Sequence, residues 1–177
     1  YGLPEINFEI IKNSNNIAVP GCYPTSILLP LIPLLKDNLI KSDNIIIDSK
    51  SGYSGAGKKF DKKNIIKQGI MNFYNYNTNQ HRHICEIEQE LSKIKNEDIK
   101  FSFNPHILPI FRGMMSTIYC DLYKNISNHE INECLVKFYS RKSFVKIIDK
   151  TETNDFFKVQ NTNNCYIKLF NHYDSSK

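Results

Sequence analysis

The chain has no apolar run near the ~20 residues of a membrane-spanning helix, and Pro30 and Pro33 interrupt its longest one. It is therefore read as a protein without a membrane span. Its first residues, Tyr1-Gly2-Leu3-Pro4-Glu5, lack the basic and long apolar regions of a signal peptide. The first residue is not Met, so the sequence is expected to be a piece of something longer. No close CxxC pair occurs. Five cysteines (Cys22, Cys85, Cys120, Cys134 and Cys165) are an odd number, and in a domain of this size they read as cytosolic free thiols. There is no internal repeat, and no low-complexity segment beyond an excess of Asn and Lys. Strong charge is missing too. The net +5 comes from lysines scattered among acidic residues, with local pairs at Lys58-Lys59 and Lys62-Lys63. A solvated surface is the first reading of these cations and a small anionic substrate the second. They form no basic stripe with interleaved aromatics, which speaks against nucleic acid.

What is there suits one compact domain. A length of 177 residues allows a sizeable core, and 41% hydrophobic with 12% aromatic residues argues against disorder. The pattern along the chain is mixed. A helix is expected to follow Cys22 and run towards Leu39, kinked or late-starting because of Pro30 and Pro33. Asn44 to Asp48 reads as a buried strand, Ser51 to Lys59 as a glycine-containing loop, and Ile70 to Tyr76 as a loose strand. Ile87, Leu91 and Ile94 place one apolar face on a helix from about Glu86 to Lys95. Lys100 to Phe103 and Ser116 to Tyr123 alternate as half-buried strands. Ser127 and Glu130 have the spacing of a capping box, with Ile126 and Ile131 at the positions of a hydrophobic staple. Ile131, Leu135 and Phe138 mark the buried face of the helix that follows, and Phe144 to Ile148 and Tyr166 to Phe170 give two more strands. Strands of this number around about three helices make an α+β sheet layer.

Four segments carry chemistry. Pro20-Gly21-Cys22-Tyr23-Pro24-Thr25 sets a cysteine on a tight turn directly before an apolar run. A helix start aims free N–H groups and its positive pole at such a sulfur and favours the thiolate. Cys22 is read as a nucleophile. His81-Arg82-His83-Ile84-Cys85-Glu86 precedes a helix, and two histidines at alternate positions of an extended segment point the same way. One of them is then an acid/base group for a cysteine; alternatively both are surface histidines, or His81, His83 and Cys85 hold a metal with Cys22 as a fourth ligand.

Ser51-Gly52-Tyr53-Ser54-Gly55-Ala56-Gly57-Lys58 lets backbone N–H groups approach an anion, with Lys58 and Lys59 adding charge. It is no Walker loop, because Lys59 stands where Ser or Thr is needed. Phe103 to Gly113 holds two prolines and a glycine and reads as a rigid connection between strands, ending in Arg112. That guanidinium is suited to grip a carboxylate or phosphate, or is a plain surface arginine. Cys120 and Cys134 read as small core residues.

Together these segments resemble the catalytic half of the N-acetyl-gamma-glutamyl-phosphate reductase family. The matching stretches are PGCYPT at 20–25, SGYSGAG at 51–57, HRH with EIEQEL at 81–91 and PHILPIFRG at 105–113. VQNTNNC at 159–165 is similar to the family's V-x-G-T-N-x-C, and YGLPE at 1–5 resembles the stretch leading into the catalytic turn. The chain departs from the family at Val19 (usually Asn), Cys85 (usually Pro) and Asn161 (usually Gly).

The resemblance implies an α+β domain with a mixed, largely antiparallel sheet and helices on one face, like the C-terminal domain of glyceraldehyde-3-phosphate and aspartate-semialdehyde dehydrogenases. It implies an NADPH-dependent reduction of N-acetyl-glutamyl 5-phosphate through a cysteine thioester, in arginine biosynthesis in the cytoplasm. Cys22 would be the nucleophile and His81 the acid/base group, with His83 and His106 as alternatives. Arg112, Ser51, Gly52 and His83 would bind substrate, and Ser54 and Gly55 the cofactor; no metal is implied. Residues 1–177 would form one catalytic and dimerisation domain of a homo-oligomer. The family's Rossmann domain and return segment would be absent, so weak or no NADPH binding is expected from this piece. The alternatives are the sister N-acetyl-aminoadipyl-phosphate reductase, a non-catalytic oligomerisation module, and a zinc module. Aspartate-semialdehyde dehydrogenases share the chemistry, but HRH with EIEQEL speaks against them.

Overall fold

The structure, a computed structural model, describes residues 1–59, 63, 65–67 and 69–170. Its centre is helix α2 (Cys22–Lys36), which follows a short α1 (Pro4–Lys12). α2 is apolar on nearly every side because it is enclosed, touching α3 (Ile84–Lys95), α4 (Asn128–Tyr139) and strand β6 (Met114–Tyr119). Ile27, Leu28, Leu31 and Leu35 are fully buried there.

The helix starts at Cys22 and continues through both prolines, contrary to the expected kink or delay. The physical reason is visible at Pro33. A proline donates no N–H, so the carbonyl four residues earlier loses its helical partner. That carbonyl belongs to Leu29, and the Tyr139 hydroxyl of α4 donates to it instead.

Strand β1 (Ile45–Gly52) pairs in parallel with β5 (Phe101–Leu108) and antiparallel with β6. A short β4 (Tyr74–Asn75) closes the other edge, so the order is β4-β5-β1-β6 and the sheet is mixed, as expected. Ile45, Ile47 and Ser49 of β1 and Phe103 and Ile107 of β5 are buried, and Ile46, Asp48 and Lys50 turn to the more exposed side. Tyr23 of α2 meets the Phe103 ring edge-on at 5.3 Å, which puts α2 on the buried face.

β1 and β5 are longer than their apolar runs suggest. β1 takes in Ser51 and Gly52, and β5 runs through Pro105. The Pro105 carbonyl accepts from Tyr76 N–H at the end of the β4 pairing, so its missing N–H faces that side and the ladder to β1 is unharmed. Tyr53–Lys59 forms a 3-10 stretch instead of an open loop. The expected strand at 70–76 is divided between β3 (Ile70–Met71), which pairs with β2 (Ile66–Lys67), and β4. β7 (Val145–Ile147) and β8 (Cys165–Ile167) pair in parallel apart from the main sheet. The capping box at α4 is formed: Ser127 Oγ accepts from Glu130 N–H, and the Glu130 carboxylate accepts from Ser127 N–H at 2.8 Å.

Tyr139→Phe should leave the Leu29 carbonyl buried without a donor and cost about 1–3 kcal/mol in denaturant unfolding. In a Pro33→Ala background, where the helical N–H returns, the same change should cost clearly less. Equal losses in both backgrounds would contradict the pairing.

Candidate active site

Gly21 caps α2 in an extended conformation and Cys22 is its first residue. The turn places the cysteine at the surface while its surroundings crowd the sulfur. Burial pushes the Cys22 thiol up, against the lowering influence of the Tyr23 and Cys22 N–H groups and of Arg82. The expectation of a thiolate held by the helix start alone is thus corrected: desolvation outweighs the backbone donors. This thiol rests protonated and needs a base.

Two histidines pack against its neighbours, His83 against Gly21 and His81 against Tyr23, in a turn and not on the extended segment expected. Their ring centroids are 5.1 Å apart, but their environments differ. His81 is only 8% exposed, so it is no surface histidine. Its ring meets Tyr23, Tyr76 and Phe103 edge-on at 5.4–5.5 Å. Nδ1 accepts from the His83 backbone N–H at 3.2 Å, which leaves the proton on Nε2, 3.4 Å from the Tyr76 hydroxyl. From there hydroxyls continue to Tyr23 and on to the His106 carbonyl. Burial, with neighbouring His83 and Arg82 adding to it, pushes His81 down to about 4. It is a neutral ring with both nitrogens engaged.

His83 sits against the catalytic turn. A Cβ on Gly21 would stand 2.3 Å from His83 Cε1 and 2.7 Å from Nε2, so only glycine lets the ring come this close. The ring is held from behind: His83 Nδ1 is 2.7 Å from Glu86 Oε2. Glu86 lies three residues on, in the first turn of α3, where a carboxylate also suits the helix pole. Its other oxygen, Oε1, accepts from Gly21 N–H at 3.0 Å and from the Tyr1 hydroxyl at 2.7 Å. Burial opposes the charge, but these donors together hold the Glu86 carboxyl below the ordinary range. An ionised Glu86 keeps the proton on His83 Nδ1. In the neutral ring this leaves His83 Nε2, which has no hydrogen-bond partner among the described residues, as the acceptor.

A cavity of about 1140 Å³ opens from Cys22 along β6. Ser51, Ser54, Gly55 and Arg112 line it with Cys22, whereas Gly52, His81 and His83 do not. Gly52 serves differently. A Cβ there would lie 2.7 Å from the Phe111 carbonyl, and its N–H donates to Gly113 O, so the end of β1 is tied to the turn that carries Arg112. Arg112 rests its guanidinium 5.3 Å from the Phe111 ring centroid and forms no ion pair among the described residues. Phe156 fills the space over Gly113 (φ +129°), and Gln160 donates to the Arg112 carbonyl. The side chains of Lys58 and Lys59, and the whole of Lys62, lie outside the described residues.

Among the described residues no three His, Cys, Asp or Glu side chains converge as a metal site. His106 stacks on Phe73 and stands 3.1 Å from Asp48, out of line for a hydrogen bond. Glu86 and Tyr1 are the participants that received no role from the sequence. The spacing His83-x-x-Glu86 at a helix start was a usable signal for the first; nothing local announced the second.

The architecture is that of the semialdehyde dehydrogenases. It is similar to aspartate semialdehyde dehydrogenase II from Vibrio cholerae, with a TM-score of 0.67 at 18% identity over 93% of this chain and 56% of that one. It is also similar to a probable aspartate-semialdehyde dehydrogenase from Pseudomonas aeruginosa, with a TM-score of 0.69 at 10% identity over 97% and 58%. At such identities the likeness is one of fold. Residues 22–177 match the semialdehyde dehydrogenase dimerisation domain, and the chain belongs to that family.

Among curated proteins it is 46% identical to the N-acetyl-gamma-glutamyl-phosphate reductase of Clostridium botulinum over 96% of this chain and 49% of that protein. For the probable chloroplastic N-acetyl-gamma-glutamyl-phosphate reductase of Arabidopsis thaliana the figures are 42%, 96% and 42%. The chain spans about half the length of such relatives. No helix among the described residues is long and apolar enough to cross a membrane.

With its resting thiol raised, Cys22 should be alkylated slowly by iodoacetamide at pH 7, the rate still climbing without a plateau when pH reaches the ordinary thiol range of about 8–9. Peptide mass spectrometry across pH 5 to 9 reads this, and a fast plateau already reached near pH 6 would contradict it.

Proposed function

We propose that this chain is the catalytic and dimerisation domain of an NADPH-dependent acyl-phosphate reductase that converts N-acetyl-glutamyl 5-phosphate to the 5-semialdehyde. The observation that carries this is Glu86, which holds both the residue before Cys22 and the ring of His83. A cysteine at a helix start beside an oriented imidazole is the arrangement of covalent acyl transfer. The kinship with named reductases supplies the acyl phosphate as the substrate class.

His83 Nε2 takes the thiol proton, and Sγ attacks the acyl carbon. The acyl carbon–oxygen bond to phosphate breaks, His83 returns its proton to the departing phosphate, and a thioester remains on Cys22. Arg112, unpaired at the cavity wall, receives an anionic group of the substrate. His81 acts behind His83, fixing its backbone through Nδ1 and staying neutral.

Ser54 and Gly55, on the wall shared with Cys22, leave a face without a bulky side chain that suits the nicotinamide ring. NADPH, when bound, supplies the hydride that reduces the thioester. The sulfur then leaves as thiolate and regains its proton through His83. The adenine end of the cofactor falls to the family's Rossmann domain. The working form is a homo-oligomer, in keeping with a dimerisation domain. Five free thiols fit a reducing compartment such as the cytoplasm.

The test is acylation of the full-length enzyme by its acyl phosphate without NADPH, followed by peptide mass spectrometry. The acyl group should appear on Cys22 and be absent in Cys22→Ser. His83→Asn should slow acylation about a hundredfold or more, and His81→Asn much less. Acylation elsewhere, or His81→Asn as the more damaging change, would overturn the assignment. Arg112→Ala should raise KM for the acyl phosphate about 10- to 100-fold, as expected for a lost charged hydrogen bond. An unchanged KM would remove Arg112 from the substrate site.

A further inference from the structure

Tyr1 is far from the other site residues in sequence, yet its hydroxyl reaches the carboxylate on which they depend. It donates to Glu86 Oε1 at 2.7 Å, the same oxygen that receives Gly21 N–H. The segment that carries it is firmly seated. Gly2 N–H donates to Ala18 O at 2.8 Å, and Asn7 Nδ2 donates to the Tyr1 carbonyl at 3.2 Å. A Cβ on Gly2 would stand 2.5 Å from the Ile17 side chain, and Leu3 is buried in the core. The hydroxyl is therefore presented from a fixed point.

Two donors on one oxygen fix the plane of the carboxylate. Oε2 is left aimed at His83 Nδ1 and, among the described residues, at no other group. Without the phenol, Gly21 N–H alone would hold Oε1, and the carboxylate could turn about its bond to the chain. Its grip on the imidazole and on the cysteine turn would then loosen together. Glu90, the other carboxylate near Tyr1, is engaged by Lys93 and Gln89, and the Tyr1 hydroxyl donates to Glu86.

We propose that Tyr1 is a positioning residue of the reductase: its O–H locks the Glu86 carboxylate in the orientation that ties the Cys22 turn to His83. This rests on the Cys22–His83–Glu86 reading above. It predicts that the phenol acts only through Glu86, and that it affects turnover more than substrate binding.

The experiment is a double-mutant cycle on the full-length enzyme with Tyr1→Phe and Glu86→Gln, and His83→Asn alongside. Phenylalanine keeps the ring in place and removes only the hydroxyl. Tyr1→Phe should lower kcat about tenfold, the order of one charge-assisted hydrogen bond, with KM changed by less than about twofold. In the Glu86→Gln background the same change should have almost no effect. If Glu86→Gln and His83→Asn lower kcat but Tyr1→Phe does not, or costs the same in both backgrounds, the role of Tyr1 is overturned and the dyad stands. If His83→Asn and Glu86→Gln both keep full kcat, the dyad itself fails and this proposal with it. Should Tyr1→Phe not fold, the unaltered protein decides through the Cζ resonance of ¹³C-labelled Tyr1. A phenol held by Glu86 should stay protonated well beyond the usual value of about 10, whereas titration near that value would overturn the contact.

Discussion

The Glu86 carboxylate accepts from three donors on three separate stretches of chain: the Tyr1 hydroxyl, the Gly21 N–H and the His83 ring. Each of these alone would be a modest hydrogen bond. On one ionised group in a half-buried setting they form a single network, and charge-assisted bonds in such a network are the strong kind. The network decides which histidine nitrogen carries the proton, where the cysteine turn sits and how the start of α3 faces the start of α2. The chemistry proposed for the site follows from that one arrangement.

The helix that carries the cysteine is unusually demanding to build. It is apolar almost all round and contains two prolines, so its carbonyls cannot all be satisfied from within. α4 answers one of these with Tyr139, while α3 supplies Glu86 at the other end. Beneath them, Ser26, Ser116 and Ser49 link α2 to β6 and β1 through hydroxyl contacts of 2.7 Å. The nucleophile therefore stands on a helix anchored at its start, middle and underside. Such preorganisation limits what reaction must rearrange.

Much of this was legible in the sequence where the signal is local. The capping box at Ser127 and Glu130, the apolar spacing of α3 and the cysteine before an apolar run are short-range patterns, and the structure places elements there. The extent of β1 and β5 was not legible, because their last residues are polar or proline and are held by neighbours distant in sequence. The continuity of α2 failed to show for the same reason: the group that repairs it, Tyr139, is 110 residues away. Among the site residues, Cys22 and Arg112 were picked out by type, and Ser51, Ser54 and Gly55 by the family resemblance; all five fall in one cavity. The roles of His81 and His83 could not be separated by spacing, since both flank the same arginine. Only burial and the Glu86 contact distinguish a boxed, neutral ring from one with a free nitrogen. The sign of the Cys22 shift was misjudged because a sequence shows the helix start but not the crowding around the sulfur.

The most direct measurement is the tautomer of His83, read from the imidazole ¹⁵N resonances of the protein at neutral pH. For the neutral ring the account predicts the proton on Nδ1, hydrogen-bonded to a carboxylate and protected from exchange, with Nε2 unprotonated. A proton on Nε2, or a ring exchanging freely between the two forms, would contradict it.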